Sequence, residues 1–304
     1  MSGKNSTPGD RPVATRKPHH RYNLMRAVAL VLWALPCFAS AAIAGADSPI
    51  NVATYNLRYD TPADGANAWA HRVDAIRALI RFHEFDLLGT QEGLPGQIDA
   101  LAEMPEYAHV GVGRDDGNNA GEHSAIFYRR ARFDLLAHGD FWLSETPDRP
   151  SKGWDAECCN RLATWARLQD PSSRKTLLAV SVHFDHQGQV ARRESAKLVL
   201  DWLQRQAAAD GVIVMGDFNA TPGSEPIMHM SNALRDASAV SIAPAYGPSA
   251  TFNDFKFGQL PGKRIDYIFV GANVRVLKFA VLTDSDGTRY PSDHFPVMAR
   301  IALE

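Results

Sequence analysis

Cysteine is scarce, with three in 304 residues. Cys37 falls in an apolar N-terminal stretch, and the other two, Cys158 and Cys159, are neighbours. A structural zinc site needs further thiol or imidazole ligands at set spacings, and none surrounds this pair. Two buried thiols and an exported vicinal disulfide are both compatible with it. The chain also lacks a Gly-x-x-x-x-Gly-Lys phosphate loop and a Gly-x-Ser-x-Gly nucleophile elbow, which removes two large classes of hydrolase. Ser292, Asp293 and His294 are consecutive, so their side chains alternate in direction and form no serine triad among themselves. There is no repeat at a fixed short period, and no linker interrupts the chain after residue 49.

The first 46 residues do not read as part of a fold. Ala27 to Ala46 is a charge-free run. Its first half (Val28, Leu30, Val31, Leu32, Trp33, Leu35) is strongly apolar and its second half is nearly all small. That asymmetry predicts a secretory signal with a long polar leader, cut after Ala44 or Ala46; Pro36 and the small residues argue against a membrane anchor. A start at Met25 gives a more conventional signal. Residues 1–44 hold Lys4, Arg11, Arg16, Lys17, Arg21 and Arg26 against Asp10 alone, so the remainder is more acidic than the formal −2 of the whole chain. An acidic body lacks the basic footprint of a protein that grips long nucleic acid, but it does not exclude a small phosphate ester.

From residue 49, short apolar runs alternate with a few amphipathic ones. Strands are predicted over 50–55, 86–90, 124–128, 133–143, 162–169, 176–184, 212–215, 264–270, 274–282 and 295–301. Trp69, Val73, Ile76 and Ile80 recur at helical spacing. A second helix over 190–206 turns Leu198, Val199, Trp202 and Leu203 inward. One domain over 47–304 follows, built of sheets flanked by helices.

Polar residues cluster at the strand ends. Val212-Ile213-Val214-Met215 reads as a strand buried on both faces, and Gly216-Asp217-Phe218-Asn219 follows at once. In extended backbone Asp217 and Asn219 point the same way, with Phe218 turned into the core. Asn56 ends the first strand and Glu92 the second. His183 sits near the end of another, with Asp185 and His186 beyond it; Asp266 lies in a late strand, and Asp293 and His294 precede the last. Each alone has a structural explanation as a turn former, cap or satisfied histidine. Six strand ends carrying Asn, Asp, Glu or His do not. Oxygen donors such as Glu92 suit a hard cation, Mg²⁺ or Mn²⁺, and carboxylates and histidines around such an ion suit phosphate-ester hydrolysis.

This set resembles the endonuclease/exonuclease/phosphatase superfamily. The matching motifs are Thr54-Tyr55-Asn56, Gln91-Glu92, Ser181-Val182-His183-Phe184-Asp185-His186, Gly216-Asp217-Phe218-Asn219, Ile265-Asp266-Tyr267-Ile268 and Ser292-Asp293-His294, in the superfamily's order. The wider wording, including Gly153-Trp154-Asp155, looks like a group of exported bacterial members. The resemblance implies a four-layer α+β sandwich, two stacked, mostly antiparallel sheets with helices outside, and a site at one end. It implies that Glu92 is the main metal ligand, with Asn56 beside it on metal or phosphate. Asp217 would orient or deprotonate water, helped by Asn219. His294 would contact phosphate, held by Asp266, and His183 would stabilise charge on the phosphoryl oxygens. Asp293 is the candidate for a second ion. Arg58 stands where several nucleases of the superfamily have an acidic residue, which favours one ion and offers a cation to phosphate.

The expected substrate is a small phosphomonoester or diester, met outside the cytoplasm by a monomer in the periplasm or medium. The candidates for contacting it are Arg58, Arg161 and Trp154. The last is able either to stack on a base or sugar or to pack its loop, as is Trp142. The alternatives are a sphingomyelinase-like lipid phosphodiesterase, an exported nuclease, and a non-catalytic binding module. No apolar hairpin suited to entering a membrane is present, and the complete polar set argues against the last.

Overall fold

The computed structural model describes residues 48–259 and 262–304. The export signal expected over residues 1–46 lies outside them. Twelve strands are found among the described residues: β1 (Ile50–Asn56), β2 (Leu87–Gln91), β3 (Tyr107–Val110), β4 (Ile126–Arg129), β5 (Asp134–Trp142), β6 (Leu162–Gln169), β7 (Thr176–His183), β8 (Gly211–Asp217), β9 (Arg235–Asp236), β10 (Asp266–Val270), β11 (Val274–Val281) and β12 (Val297–Leu303). The main helices are α1 (Val73–Phe82), α2 (Pro95–Ala102), α3 (Gln189–Gln204) and α4 (Glu225–Ala233).

The strands form two six-stranded sheets, in the orders β11-β12-β1-β2-β4-β3 and β5-β6-β7-β8-β10-β9. The sheets repeat one plan. At the middle of each lies a parallel pair, β1–β2 and β7–β8, flanked on both sides by antiparallel neighbours. Parallel neighbours need a crossover, and α1 and α3 lie on those connections. Two strands running the same way also finish at the same edge. Asn56 is therefore level with Gln91, and His183 with Asp217.

Alternation along the strands sorts the core into layers. Val52 of β1, Leu87 of β2, Ala179 of β7 and Met215 of β8 belong to the cluster between the sheets. Ala53 and Tyr55 face outward and pack with Ile76, Ile80, Ile98 and Leu101 of α1 and α2. On the opposite side Val180, Val182 and Val214 meet Ala196 and Val199 of α3 and Ile227 and Met230 of α4. The result is the four-layer α+β sandwich that the resemblance implied. Full burial of the Val, Leu, Ile and Met side chains among these contributes on the order of 1.5–3 kcal/mol each.

Differences from the sequence reading are local. Trp69 lies in a 3-10 turn, Trp69–His71, ahead of α1 and not within it. The elements α2, β3, α4 and β9 have no counterpart in the predicted set. They span nine residues or fewer, too short for a periodic signal to stand out.

Candidate active site

The two sheets meet at the edge where their central strands end. Below that edge Gln91 accepts from Thr54 Oγ1 and donates to Ser181 Oγ, each at 3.2 Å, and so ties one sheet to the other. At the edge itself Asn56 Nδ2 donates to Glu92 at 3.0 Å and to Asp217 at 3.1 Å. Buried Arg72 holds the adjoining loops, donating to the carbonyl oxygens of Leu57, Arg58 and Pro291. Ser292 Oγ donates to the Asn56 carbonyl at 2.7 Å, which brings Asp293 and His294 beside the end of β1.

Gly216 explains why β8 can deliver Asp217 here. Its φ is +154°, and a Cβ would lie 2.0 Å from the Val182 carbonyl oxygen of β7. Only glycine fits. Asp217 is 1% exposed, so it does not stand on a solvent-facing rim. Nor do Asp217 and Asn219 project side by side from extended backbone. The strand ends at Asp217, and Asn219 turns into the left-handed region at φ +47°. Its N–H donates to Asp217 Oδ1 at 2.8 Å, while its Nδ2 donates to the Phe184 carbonyl at 3.1 Å. Asn219 thus fixes Asp217 through its backbone. Phe218 is buried against Phe184, Tyr267 and Phe269, as its position predicted.

Two histidines flank Asp217. His183 Nε2 lies 3.7 Å from Asp217 Oδ2, and His294 Nε2 lies 3.9 Å from the same atom. Their surroundings drive them apart. Burial pushes His183 well below the usual histidine range, and the cations Arg161 and Arg114 add to this, so it is neutral. Burial opposes charge on His294 too, but Asp266, Asp217 and Asp293 outweigh it and hold its pKa well above the usual range. Asp266 Oδ2 is 2.9 Å from His294 Nδ1 and also accepts from Thr251 Oγ1 at 2.5 Å. Phe252 packs edge-on against the His294 ring. Asp217 itself is pushed up to about 7 by burial and by the Asp266 carboxylate.

The residues open into one cavity of ≈ 1210 Å³, lined by Arg58, Glu92, Arg161, His183, Asp217, Asn219, Asp293 and His294. Asn56 and Asp266 support it from behind. Trp154 is not part of this wall: it sits in a loop turn at φ +49°, its N–H bonded to Glu145. Of its two readings, stacking on substrate or packing its loop, the structure gives the second, and Trp154 is removed from the substrate contacts. Trp142 is buried and donates Nε1 to the Arg114 carbonyl, again a packing role. Arg161 does face the cavity, 3.0 Å from the His183 ring nitrogens and 2.8 Å from His186 Nδ1. Arg58 is paired with Asp64 at 2.9 Å and stands 3.9 Å from Asp293.

The donor set fits a hard divalent ion. Glu92 and Asp293 are neighbouring carboxylates at the cavity wall, and burial together with Glu92 pushes Asp293 up to about 6. Crowded carboxylates in a buried site are what such an ion relieves. Glu92, His183 and Asp217 also offer atoms within 4.8 Å of one another. Asn56 stands beside Glu92, where the resemblance places it. Its Oδ1 accepts from the Arg58 N–H at 3.0 Å and its Nδ2 faces the carboxylates, so it orients Glu92 and Asp217 as a donor.

Glu122 and Arg114 belong to the site and were not foreseen. Glu122 is 2.6 Å from Arg114 and 3.7 Å from His183 Nδ1. The signal was there: Glu122-His123-Ser124 directly precedes a strand, as the other site motifs end one.

Carboxylates, an amide and histidines gathered over the central strand ends of a two-sheet sandwich are the arrangement of a phosphoester hydrolase. The chain belongs to the endonuclease/exonuclease/phosphatase family, whose profile matches residues 53–294. It is similar to the endonuclease/exonuclease/phosphatase of Bacteroides vulgatus, 38% identical, covering 85% of this chain and 100% of that one with a TM-score of 0.80. It is also similar to a mannosyl-6-phosphatase of Bacteroides thetaiotaomicron, 39% identical, covering 83% of this chain and 99% of that one with a TM-score of 0.78. An uncharacterized protein of Acanthamoeba polyphaga mimivirus is 27% identical over 159 residues, a match to 50% of this chain and 59% of that protein.

Proposed function

We propose that this protein is an exported phosphomonoesterase that uses one divalent ion, Mg²⁺ or Mn²⁺, to hydrolyse a small phosphorylated sugar. The observation that carries the reading is Asp217 set between His183 and His294, 3.7 and 3.9 Å from its Oδ2, in a cavity wide enough for such a substrate. The likeness to a mannosyl-6-phosphatase supports the sugar. Arg58 beside Asp293 supports a single ion, since its guanidinium supplies positive charge that a second ion would otherwise bring.

Glu92, with Asp293, would hold the ion, which when bound supplies positive charge to the phosphoryl oxygens. Asp217, with a pKa close to neutrality, accepts the proton of a water placed against it. Asn56 and the Asn219 N–H hold its two oxygens for that task. His294 donates from Nε2 to a phosphoryl oxygen while Asp266 holds its other nitrogen. Arg161 adds charge on the His183 side, where it grows as the ester P–O bond breaks.

Export rests on the charge-free run Ala27–Ala46, and the substrate is then one met in the periplasm or medium by a monomer. Protein recovered from a Gram-negative host is expected to begin near Gly45 or Asp47. Intact mass showing residues 27–46 attached would reject export by cleavage. The activity itself is tested by phosphate release with Mg²⁺ or Mn²⁺ against sugar phosphates, nucleotides, phospholipids and DNA. Metal-dependent release from sugar phosphates is expected. Turnover of lipid or DNA diesters alone would replace this reading with a sphingomyelinase-like or nuclease activity.

A further inference from the structure

Cys158 and Cys159 are joined in a disulfide, and both line the cavity. Cys158 is exposed and Cys159 half-buried, so the alternative of two buried thiols does not hold. The Cys158 sulfur, an Asp185 carboxylate oxygen and a His186 ring nitrogen lie within 4.8 Å of one another. From His186 the contacts run to Arg161 at 2.8 Å, to His183 at 3.0 Å and to Asp217 at 3.7 Å. The disulfide therefore belongs to the same cavity as the reacting end, displaced along its wall.

A bridge between adjacent residues closes the shortest loop available, so its constraint on the unfolded chain is the smallest of any disulfide. Its effect is local. Asp155 caps α3 through the N–H groups of Val190 and Ala191, at 3.0 and 2.6 Å. Arg161 is fixed by its carbonyl, which accepts from the Leu143 N–H at 2.7 Å, and by its hold on both histidines. Residues 156–160 run between these two anchors. There the bridge places two polarizable sulfurs, with no strong hydrogen-bonding group, beside the polar Arg161 and His186.

We propose that the Cys158–Cys159 disulfide is the surface on which the leaving group packs, taking the C–H face of a sugar ring and so selecting ring-bearing phosphate esters. The proposal rests on the phosphomonoesterase reading above. Binding pockets combine apolar walls with a few placed polar groups, and here the two lie side by side. A ring on the sulfurs, with its phosphate against Asp217 and His294, has Arg161 and His186 along its hydroxyl edge.

The test is steady-state kinetics with mannose 6-phosphate and with glycerol 3-phosphate, an ester of the same kind without a ring. The protein is compared as isolated, as the Cys158→Ser/Cys159→Ser variant, and as the unaltered chain held reduced by a phosphine. The reduced chain serves where the variant folds poorly. Opening the bridge is expected to raise KM for mannose 6-phosphate roughly tenfold, the scale of one lost apolar contact, with kcat little changed. KM for glycerol 3-phosphate is expected to stay nearly constant. Equal losses on both esters, or no loss on the first, would overturn the proposal. If neither ester is hydrolysed, the phosphomonoesterase reading fails by itself, and calorimetry with Mg²⁺ decides the disulfide's role. Mannose 6-phosphate must then bind more tightly than inorganic phosphate, and that advantage must vanish when the bridge is opened; if either condition is unmet the proposal falls.

Discussion

Asp217 and Asp266 stand directly opposite each other in the antiparallel pairing of β8 and β10, and both are buried. Paired residues share a face of the sheet, and like charges there repel. The His294 ring relieves them, 2.9 Å from Asp266 and 3.9 Å from Asp217. Only Asp217 reaches the cavity wall. The two carboxylates thus have different tasks: Asp266 orients the ring, and Asp217 faces the substrate.

That division predicts how substitutions combine. Asp266→Asn should lower turnover roughly ten- to a hundredfold, the scale for a group that positions another. His294→Ala should cost more, roughly a hundredfold or above. Read in kcat above the pH range in which Asp217 titrates, where the direct effect of Asp266 on Asp217 drops out, the double variant should be no worse than His294→Ala alone, because Asp266 then acts through the ring. Losses that multiply in kcat would show that Asp266 has a separate role.

Glu92→Gln keeps the shape of the side chain and removes its charge. Affinity for Mg²⁺ or Mn²⁺ should fall roughly tenfold or more, measured by calorimetry. An unchanged isotherm would remove Glu92 as the ion's main holder.

Asp170 offers a stability test remote from the site. Burial alone would raise its pKa, but hydrogen bonds from Ser172 and Ser173 and the Arg132 cation hold it at about 2. A depressed carboxylate stabilises the fold above its ordinary pKa, and that contribution is lost as pH falls through the folded value. Asp170→Asn should therefore cost about 2 kcal/mol at neutral pH, with the gap to the unaltered protein closing between about pH 4 and pH 2. A gap in urea denaturation that does not depend on pH would contradict the assignment.

The strands were readable in the sequence because both faces of β1, β7 and β8 are buried, leaving apolar runs that end abruptly in polar residues. The helix α2 was not, since eight residues bury only Gln97, Ile98 and Leu101 and show no sustained period. Site membership was legible as a list and less so as geometry. Spacing two apart fixes a shared face only while backbone stays extended, and Asn219 leaves that region. Asn56 was placed correctly at a strand end, but which of its amide atoms faces Glu92 depends on the Arg58 N–H, a contact no residue pattern displays. Trp154 stays open between substrate and loop in the sequence, because aromatic character alone does not say which of them a ring faces.

The most direct test of the account is Asp217→Asn, read for turnover and thermal stability on one sample. Burial and Asp266 make the carboxylate costly in the folded state, whereas its amide keeps only one of the two oxygens that Asn56 and Asn219 hold, so the fold should persist with a melting temperature shifted by only a few degrees. Metal-dependent turnover of a phosphate ester hydrolysed by the unaltered protein should fall roughly a hundredfold or more. Undiminished turnover in a folded sample would contradict the assignment of Asp217 as the group that prepares water.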